Sequence, residues 1–192
     1  MEALNELVKS KKVRYLGCSA LLPYQLLKAN MIARKNGWAE FISIQNHYNL
    51  IYREEEREMM QLLEEEKIVM TPYSPLAAGR LCRLYTDGKT TRSSNDPINE
   101  RKYNHSKDID IPVIQRVKEL AEKKKLTMAQ IALAWIFSKP LVVSAVIGFT
   151  KMSHLEELWD VFKIKLTEEE IKFLEELYVP HKIVGAIRKH DS

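Results

Sequence analysis

Cysteine is scarce in this chain. Cys18 and Cys82 are the two found in 192 residues, too few for a disulfide framework, and that scarcity places the chain in a reducing compartment, the cytoplasm. No run of about 18 apolar residues occurs, so no membrane span is expected. The opening residues, Met1-Glu2-Ala3-Leu4-Asn5-Glu6-Leu7-Val8, read as an acidic amphipathic helix and lack the basic and apolar regions of a secretory leader. No N-cap precedes that helix, so its pattern begins part-way through. A basic stripe is also missing. Thirty Lys and Arg are interspersed with 26 Asp and Glu for a net charge of +4, which argues against a nucleic-acid partner. His105, His181 and His190 fall in loop or tail and show no metal-ligand spacing. Sequence repeats are absent as well. The runs Glu54-Glu55-Glu56 and Lys123-Lys124-Lys125 read as solvated helix faces.

What is present suits one globular domain with a sizeable core: 45% apolar and 29% charged residues. Val13 to Ser19 reads as a strand ending in small residues. A helix spans about 23–36, with Pro23 in its first turn and Gly37 ending it. Phe41–Gln45 is a second strand, about 54–65 a helix, and Ile68–Met70 a third strand. Residues 83–110 are polar and turn-rich and read as a long loop, placed to act as a lid. Helices follow over about 112–124 and 128–138, the second capped by Thr127. Val142–Ile147 is a fourth strand. Ser153 caps a helix to about Phe162, with Glu156 completing a capping box, and Thr167 caps a last helix to about Tyr178. Residues 1–180 form one unit, and 181–192 a basic, disordered tail.

Strands alternating with helices imply parallel pairing through crossovers, and strands without clean alternation fit a sheet buried on both faces. The expected fold is α/β: half of a TIM-type (β/α) barrel with about four parallel strands and flanking helices. Function in such folds gathers at the carboxyl ends of the strands. Four of these ends are visible: Gly17-Cys18-Ser19-Ala20, Gln45-Asn46-His47-Tyr48-Asn49, Tyr73-Ser74-Pro75-Leu76 and Gly148-Phe149-Thr150-Lys151. The last two follow apolar runs and open on small or polar residues, as a strand does when it passes into an anion-binding loop.

These four stretches, with Val13-Arg14-Tyr15-Leu16 ahead of the first, Leu50 after the second, Ala77 after the third and His154 to Glu157 after the fourth, occur in one order and spacing. In that register the chain resembles the second half, strands five to eight, of the aldo-keto reductase superfamily. The resemblance implies NADP(H) lying extended across the barrel mouth and a small carbonyl compound as substrate. It places Ser19 and Gln45 on the nicotinamide carboxamide, although the usual polar residue after the serine is here Ala20. It sets Tyr73 under the nicotinamide ring, and Ser74, Leu76, Ala78 and Arg80 along the pyrophosphate. Gly148, Phe149, Thr150 and Lys151 precede a helix N-terminus, an anion-binding position, where Lys151 and the Thr150 hydroxyl would hold the 2′-phosphate, with His154 where many relatives carry arginine. Glu157 would meet the adenine, and Leu158 replaces a common asparagine.

The same resemblance implies that the family's catalytic tyrosine, lysine, aspartate and histidine lie on the first four strands, which have no counterpart here. No catalytic residue is therefore assigned. His47 and Tyr48 are the nearest substitutes, each expected to make a structural hydrogen bond instead, and Cys18 is expected as a small filler beside the cofactor site. Three readings follow: a truncated reductase inactive by itself, a non-catalytic nucleotide-binding or assembly module built on a half-barrel, and an unrelated phosphate-binding α/β domain. Because a half-barrel leaves unpaired strand edges, a homodimer closed through those edges is expected.

Overall fold

The computed structural model describes residues 1–84, 102–149 and 151–184. Its architecture is α/β. Among the described residues it holds a three-stranded parallel sheet and seven α-helices. Helix α1 (Glu2–Lys9) leaves Leu7 exposed and buries Asn5, whose Oδ1 accepts the Ala39 N–H at 3.0 Å. Leu4 and Val8 are half-buried beside Asn5, so the docked face of α1 is part apolar and part amide.

Strand β1 (Leu16–Ser19) is shorter than its sequence signature, because Val13 and Tyr15 remain exposed, Tyr15 at 72%. Helix α2 (Pro23–Lys35) starts on Pro23 and is closed by Gly37 at φ +66°, where Trp38 N–H reaches back to Ala33 C=O at 2.9 Å. This is the left-handed helix terminus that glycine favours. Asn30 brackets the start of strand β2 (Phe41–Gln45), bonding both Phe41 N–H and Phe41 C=O.

The helix expected over 54–65 is broken. Glu54–Arg57 forms a 3₁₀ turn, Glu58 leaves helical geometry at φ −148°, and helix α3 begins afresh (Met59–Glu66). Strand β3 (Val69–Met70) completes the order β1-β2-β3, parallel throughout.

The fourth strand does not form as a continuous element. Val142 and Val146 make isolated parallel bridges to Met70 and Tyr73. Three backbone bonds serve them: Met70 N–H to Leu141, Val143 N–H to Met70, and Val146 N–H to Pro72. Pro72 has no N–H to return, so the ladder breaks there.

Helix α4 (Lys107–Lys124) begins five residues earlier than expected and carries Pro112 inside it. Helix α5 (Met128–Phe137) is almost wholly buried. Its N-cap is Thr127 as expected, and Gln130 completes a capping box, its N–H donating to Thr127 Oγ1 at 3.2 Å. Helix α6 (Met152–Leu158) is capped at Lys151 without a side-chain bond, so Ser153 is not its cap, and a 3₁₀ turn follows (Trp159–Lys163). Helix α7 (Glu168–Glu175) opens on the Thr167–Glu170 capping box. Where the helices meet the sheet, Ile44, Met70, Leu63, Val117, Ile131 and Trp135 are fully or almost fully buried in one cluster. Removal of such apolar surface from water, about 25 cal/mol per Å², is what holds the layers together.

The chain end departs from expectation. Residues 181–184 are tied down, not free: Val184 N–H donates to Tyr52 Oη at 2.9 Å and His181 N–H to Glu54 at 2.7 Å. The remainder of the expected tail, 185–192, lies outside the described residues.

Candidate functional site at the strand ends

Parallel register brings the carboxyl ends of the strands side by side. Ser19 pairs with Gln45, and the Ser19 hydroxyl donates to Gln45 C=O at 2.7 Å. Ala20 turns at φ +57° and donates its N–H to Asn46 Oδ1 at 2.9 Å. Past β2 and β3 the pairing continues as single bridges, His47 to Tyr73 and Tyr73 to Val146. Ser19, Gln45 and Tyr73 therefore stand along one edge, with Gly148 two residues beyond the last bridge.

The segment after Tyr73 is wound tightly. Ser74, Ala77 and Ala78 adopt φ of +53°, +48° and +55°, followed by Gly79 at +91°. For residues with a Cβ this conformation costs about 1–3 kcal/mol each and persists where surroundings over-determine it. The Ser74 carbonyl accepts from Ala77 N–H at 3.0 Å and from Asn49 Nδ2 at 2.9 Å. Leu76 and Ile147 pack against one small cluster, Ala129, Leu133, Leu158 and Val161, which draws the two loops together. The Arg80 guanidinium lies 4.7 Å from the Tyr103 ring centroid.

Behind Tyr73 stands a stack of rings. His47 lies 5.2 Å from Tyr73 and 4.1 Å from Tyr52, both nearly parallel. Burial, with Lys102 and His181 nearby, lowers the His47 imidazole to about 3, so it is neutral at physiological pH. Tyr103 Oη sits 2.6 Å from His47 Nε2. Burial raises both phenols, Tyr73 and, further, Tyr103. Lys102 Nζ is 4.6 Å from the Tyr73 centroid and 3.5 Å from its hydroxyl.

Tyr103 and Lys102 are hidden in a stretch that reads as polar loop. One aromatic within the polar run Arg101-Lys102-Tyr103-Asn104-His105 is the mark that run carries. Tyr48, in contrast, turns away from the site: its hydroxyl donates to Glu56 and its ring packs 5.2 Å from Trp135. Cys18 is half-buried against the core, and burial raises its thiol to about 11, an inert filler.

The acidic run is not a solvated face. Glu54 is 6% exposed and accepts from Tyr178 and His181. Glu55 accepts from Asn46 Nδ2 at 2.7 Å, and Glu56 from Arg53 and Tyr48. Burial raises the Glu55 carboxyl to about 7, against the lowering effect of Asn46. Nor is His181 a loose tail residue, since its Nε2 lies 2.8 Å from Asp110 with both side chains almost fully buried.

At the second loop, Gly148, Phe149, Lys151, His154 and Glu157 are all exposed to solvent, and Thr150 lies outside the described residues. The Glu157 carbonyl accepts from Gln130 Nε2 at 2.8 Å, tying α6 to α5. Two clefts of about 540 and 350 Å³ open among the helices. One is lined by Arg53 and α7, the other by α4 and α7, and neither includes a residue of the strand-end site. Among the described residues, no group of three or more His, Cys, Asp or Glu is placed to hold a metal ion, and no helix is long and apolar enough to cross a membrane.

Comparison with known proteins shows the family. Residues 1–179 match the family model described as aldo/keto reductase family. The chain is 39% identical over 185 residues to an aldo-keto reductase of Fusarium vanettenii, covering 96% of this chain and 50% of that one. It is 40% identical over 184 residues to the versiconal hemiacetal acetate reductase of Aspergillus parasiticus, covering 95% and 53%. It is also 40% identical over 186 residues to an aldo-keto reductase of Metarhizium robertsii, covering 96% and 50%. The chain spans about half the length of these curated relatives. With the strand ends, the loops that follow them and these identities in agreement, the chain belongs to the aldo/keto reductase family.

Proposed function

We propose that this chain forms the NADP(H)-holding half of an aldo-keto reductase barrel. The observation that carries the reading is the single line of strand ends, Ser19, Gln45 and Tyr73, flanked by the cations Arg80 and Lys151 on the two loops. The donor set fits the cofactor's chemistry. Neutral hydroxyl and amide groups suit a carboxamide, an aromatic face suits a planar ring, and two separated cations suit pyrophosphate and 2′-phosphate. When bound, the nicotinamide supplies hydride to a small carbonyl substrate.

This chain's residues bind and orient. Ser19 and Gln45 fix the carboxamide and Tyr73 offers a ring face. Ser74, Leu76 and Ala78 let the backbone approach the phosphates while Arg80 neutralises them. On the loop Gly148, Phe149, Thr150 and Lys151, the Thr150 hydroxyl and Lys151 receive the 2′-phosphate beside His154, and Glu157 stands by the adenine. Proton delivery is another matter. His47 is buried and neutral, with an imidazole at about 3, and so holds no proton to give at neutral pH beyond that of its ring N–H. Reduction of an aldehyde by the chain alone is therefore expected to be far slower than in a complete barrel.

The test is a fluorescence titration with NADPH. Saturation at micromolar concentration is the expected result, and no saturable change below about millimolar, the weak end of specific binding, sinks the reading. Steady-state reduction of an aromatic aldehyde then separates binding from turnover.

A second reading concerns assembly. Tyr15, just before β1 at one margin of the sheet, and Val143 and Val146 at the other, are 72%, 58% and 47% exposed. Apolar residues exposed at sheet margins favour pairing with a further chain, and a homodimer would cover them. A monomeric mass by light scattering at micromolar concentration counts against it. The free thiols Cys18 and Cys82 suit a cytoplasmic setting.

A further inference from the structure

We propose that Tyr103 is the positioning residue of the cofactor loop 73–80, holding its ring, its backbone and its arginine at once. The inference rests on the NADP(H) reading for its consequence at the nucleotide. The loop geometry itself stands apart from that reading.

Three contacts converge on Tyr103, which is 1% exposed. Its hydroxyl meets His47 Nε2 at 2.6 Å, and His47 stacks on Tyr73. Asn49 Nδ2 meets the same hydroxyl at 3.1 Å and also the Ser74 carbonyl at 2.9 Å. Its ring lies 4.7 Å from the Arg80 guanidinium. Tyr73, Ser74 and Arg80 are thus reached from this side chain directly or through one intervening residue.

The proton directions follow from what each group can do. Asn49 Oδ1 accepts from Ile51 N–H at 3.1 Å, which fixes the amide orientation. One Nδ2 hydrogen goes to the Ser74 carbonyl, which only accepts. The other points to Tyr103 Oη, with His47 Nε2 at 3.3 Å beside it. The Tyr103 oxygen is thus an acceptor from Asn49. We assign its own proton to His47 Nε2, which leaves the imidazole proton on Nδ1, a buried atom without a hydrogen-bond partner among the described residues. The chain runs from Ser74 C=O through Asn49 and Tyr103 to His47, and returns through the ring stack to Tyr73, the neighbour of Ser74.

Such a closed loop is what a strained segment needs. Ser74, Ala77 and Ala78 all sit at positive φ, and this conformation relaxes unless it is pinned. Asn49 alone would pin a carbonyl. Tyr103 couples that carbonyl to the aromatic platform and to the phosphate-facing arginine.

The experiment compares the full chain with its Tyr103→Phe variant, which keeps the ring beside Arg80 and removes only the hydroxyl. Amide hydrogen exchange is read at Ala77, Gly79 and Leu81, whose N–H groups close the loop on Ser74 and Leu76. The expected result is exchange about tenfold faster at these three, the effect of one lost hydrogen bond, with amides of β2 and α5 unchanged. Unchanged loop exchange, or equal acceleration everywhere, overturns the proposal. Asn49→Ala should speed Ala77 in the same way, and imidazole nitrogen shifts should show the proton on Nδ1 in the parent; a proton on Nε2 contradicts the network.

For the nucleotide, Tyr103→Phe is expected to raise the NADPH dissociation constant about tenfold. Equal affinity in parent and variant overturns the positioning role. A parent that does not bind NADPH removes the cofactor reading, and the exchange measurement still decides for or against Tyr103.

Discussion

His181 Nε2 lies 2.8 Å from the Asp110 carboxylate, joining the last described segment to helix α4 across 71 residues of sequence. Ser106 Oγ donates to the other Asp110 oxygen at 2.8 Å, and Glu54 accepts the His181 backbone N–H. The imidazole also stacks on Tyr178 and meets Tyr52 edge-on.

Removing one partner of this buried pair leaves the other without compensation. His181→Ala should cost about 3 kcal/mol, read as a lower urea midpoint with an unchanged slope. The direction with pH also follows. Although burial opposes charge on His181, the Asp110 bond and charge, the Val179 backbone and Glu54 raise its pKa above the usual imidazole value. The folded state then binds the proton more tightly, so this contribution is fully present below the unfolded imidazole pKa of about 6.5. It is lost as pH rises through the higher folded value. In the variant the stability lost should be largest at acid pH and shrink in alkaline buffer.

Glu55 gives a slope over a different range. Its carboxyl is raised from 4.5 to about 7, so between those values the folded state holds a proton that the unfolded chain has released. Stability should therefore fall with rising pH across that window. Glu55→Gln keeps an acceptor for Asn46 and cannot ionise. Its melting temperature relative to the parent should be higher at pH 8 than at pH 5, and an equal difference at both values would reject the assignment.

Ala78 sits at φ +55° inside the 3₁₀ turn Ala77–Gly79. Glycine adopts this geometry without the Cβ clash of about 1–2 kcal/mol, and its greater unfolded-state freedom offsets about 0.5–1 kcal/mol of the gain. Ala78→Gly should be stabilising by about 0.5–1 kcal/mol, and Ala78→Val destabilising, both measured by denaturant unfolding.

Lys151 caps the short helix α6 from an exposed position. If it receives the 2′-phosphate, Lys151→Ala should weaken NADPH binding about tenfold, the scale of one charge-assisted contact, and leave NADH binding unchanged. Parallel titrations check this, and equal losses for both nucleotides would move the 2′-phosphate elsewhere.

Much of the frame is legible in the sequence. Thr127 with Gln130, and Thr167 with Glu170, announce their helices through local bonds that need no distant partner. Pro23 and Gly37 mark the ends of α2 by backbone geometry alone. Other features differ from their sequence signatures because side-chain partners and backbone pairing, near or far along the chain, decide them. The Glu54-Glu55-Glu56 run looks solvated until Tyr178, Asn46 and Arg53 are brought to it. The fourth strand looks continuous until Pro72 denies it a donor. Ser153 resembles a cap, but the helix starts at Met152 instead.

The sequence alone determined the alternation of strands and helices, the family, and which small and polar residues end each strand, because these depend on local periodicity, turn chemistry and residue identity. Tertiary structure decided what stands behind them. Tyr103 lies 56 residues from His47 and 54 from Asn49, and no local pattern links them. Parallel crossovers and the burial of α4 and α5 place that hydroxyl on His47 and Asn49, which in turn meet Tyr73 and Ser74. Once water is excluded there, the Asn49 amide, the Tyr103 hydroxyl and His47 Nε2 must find partners inside the protein. That requirement, and not the composition of the stretch around Tyr103, fixes the geometry of the loop.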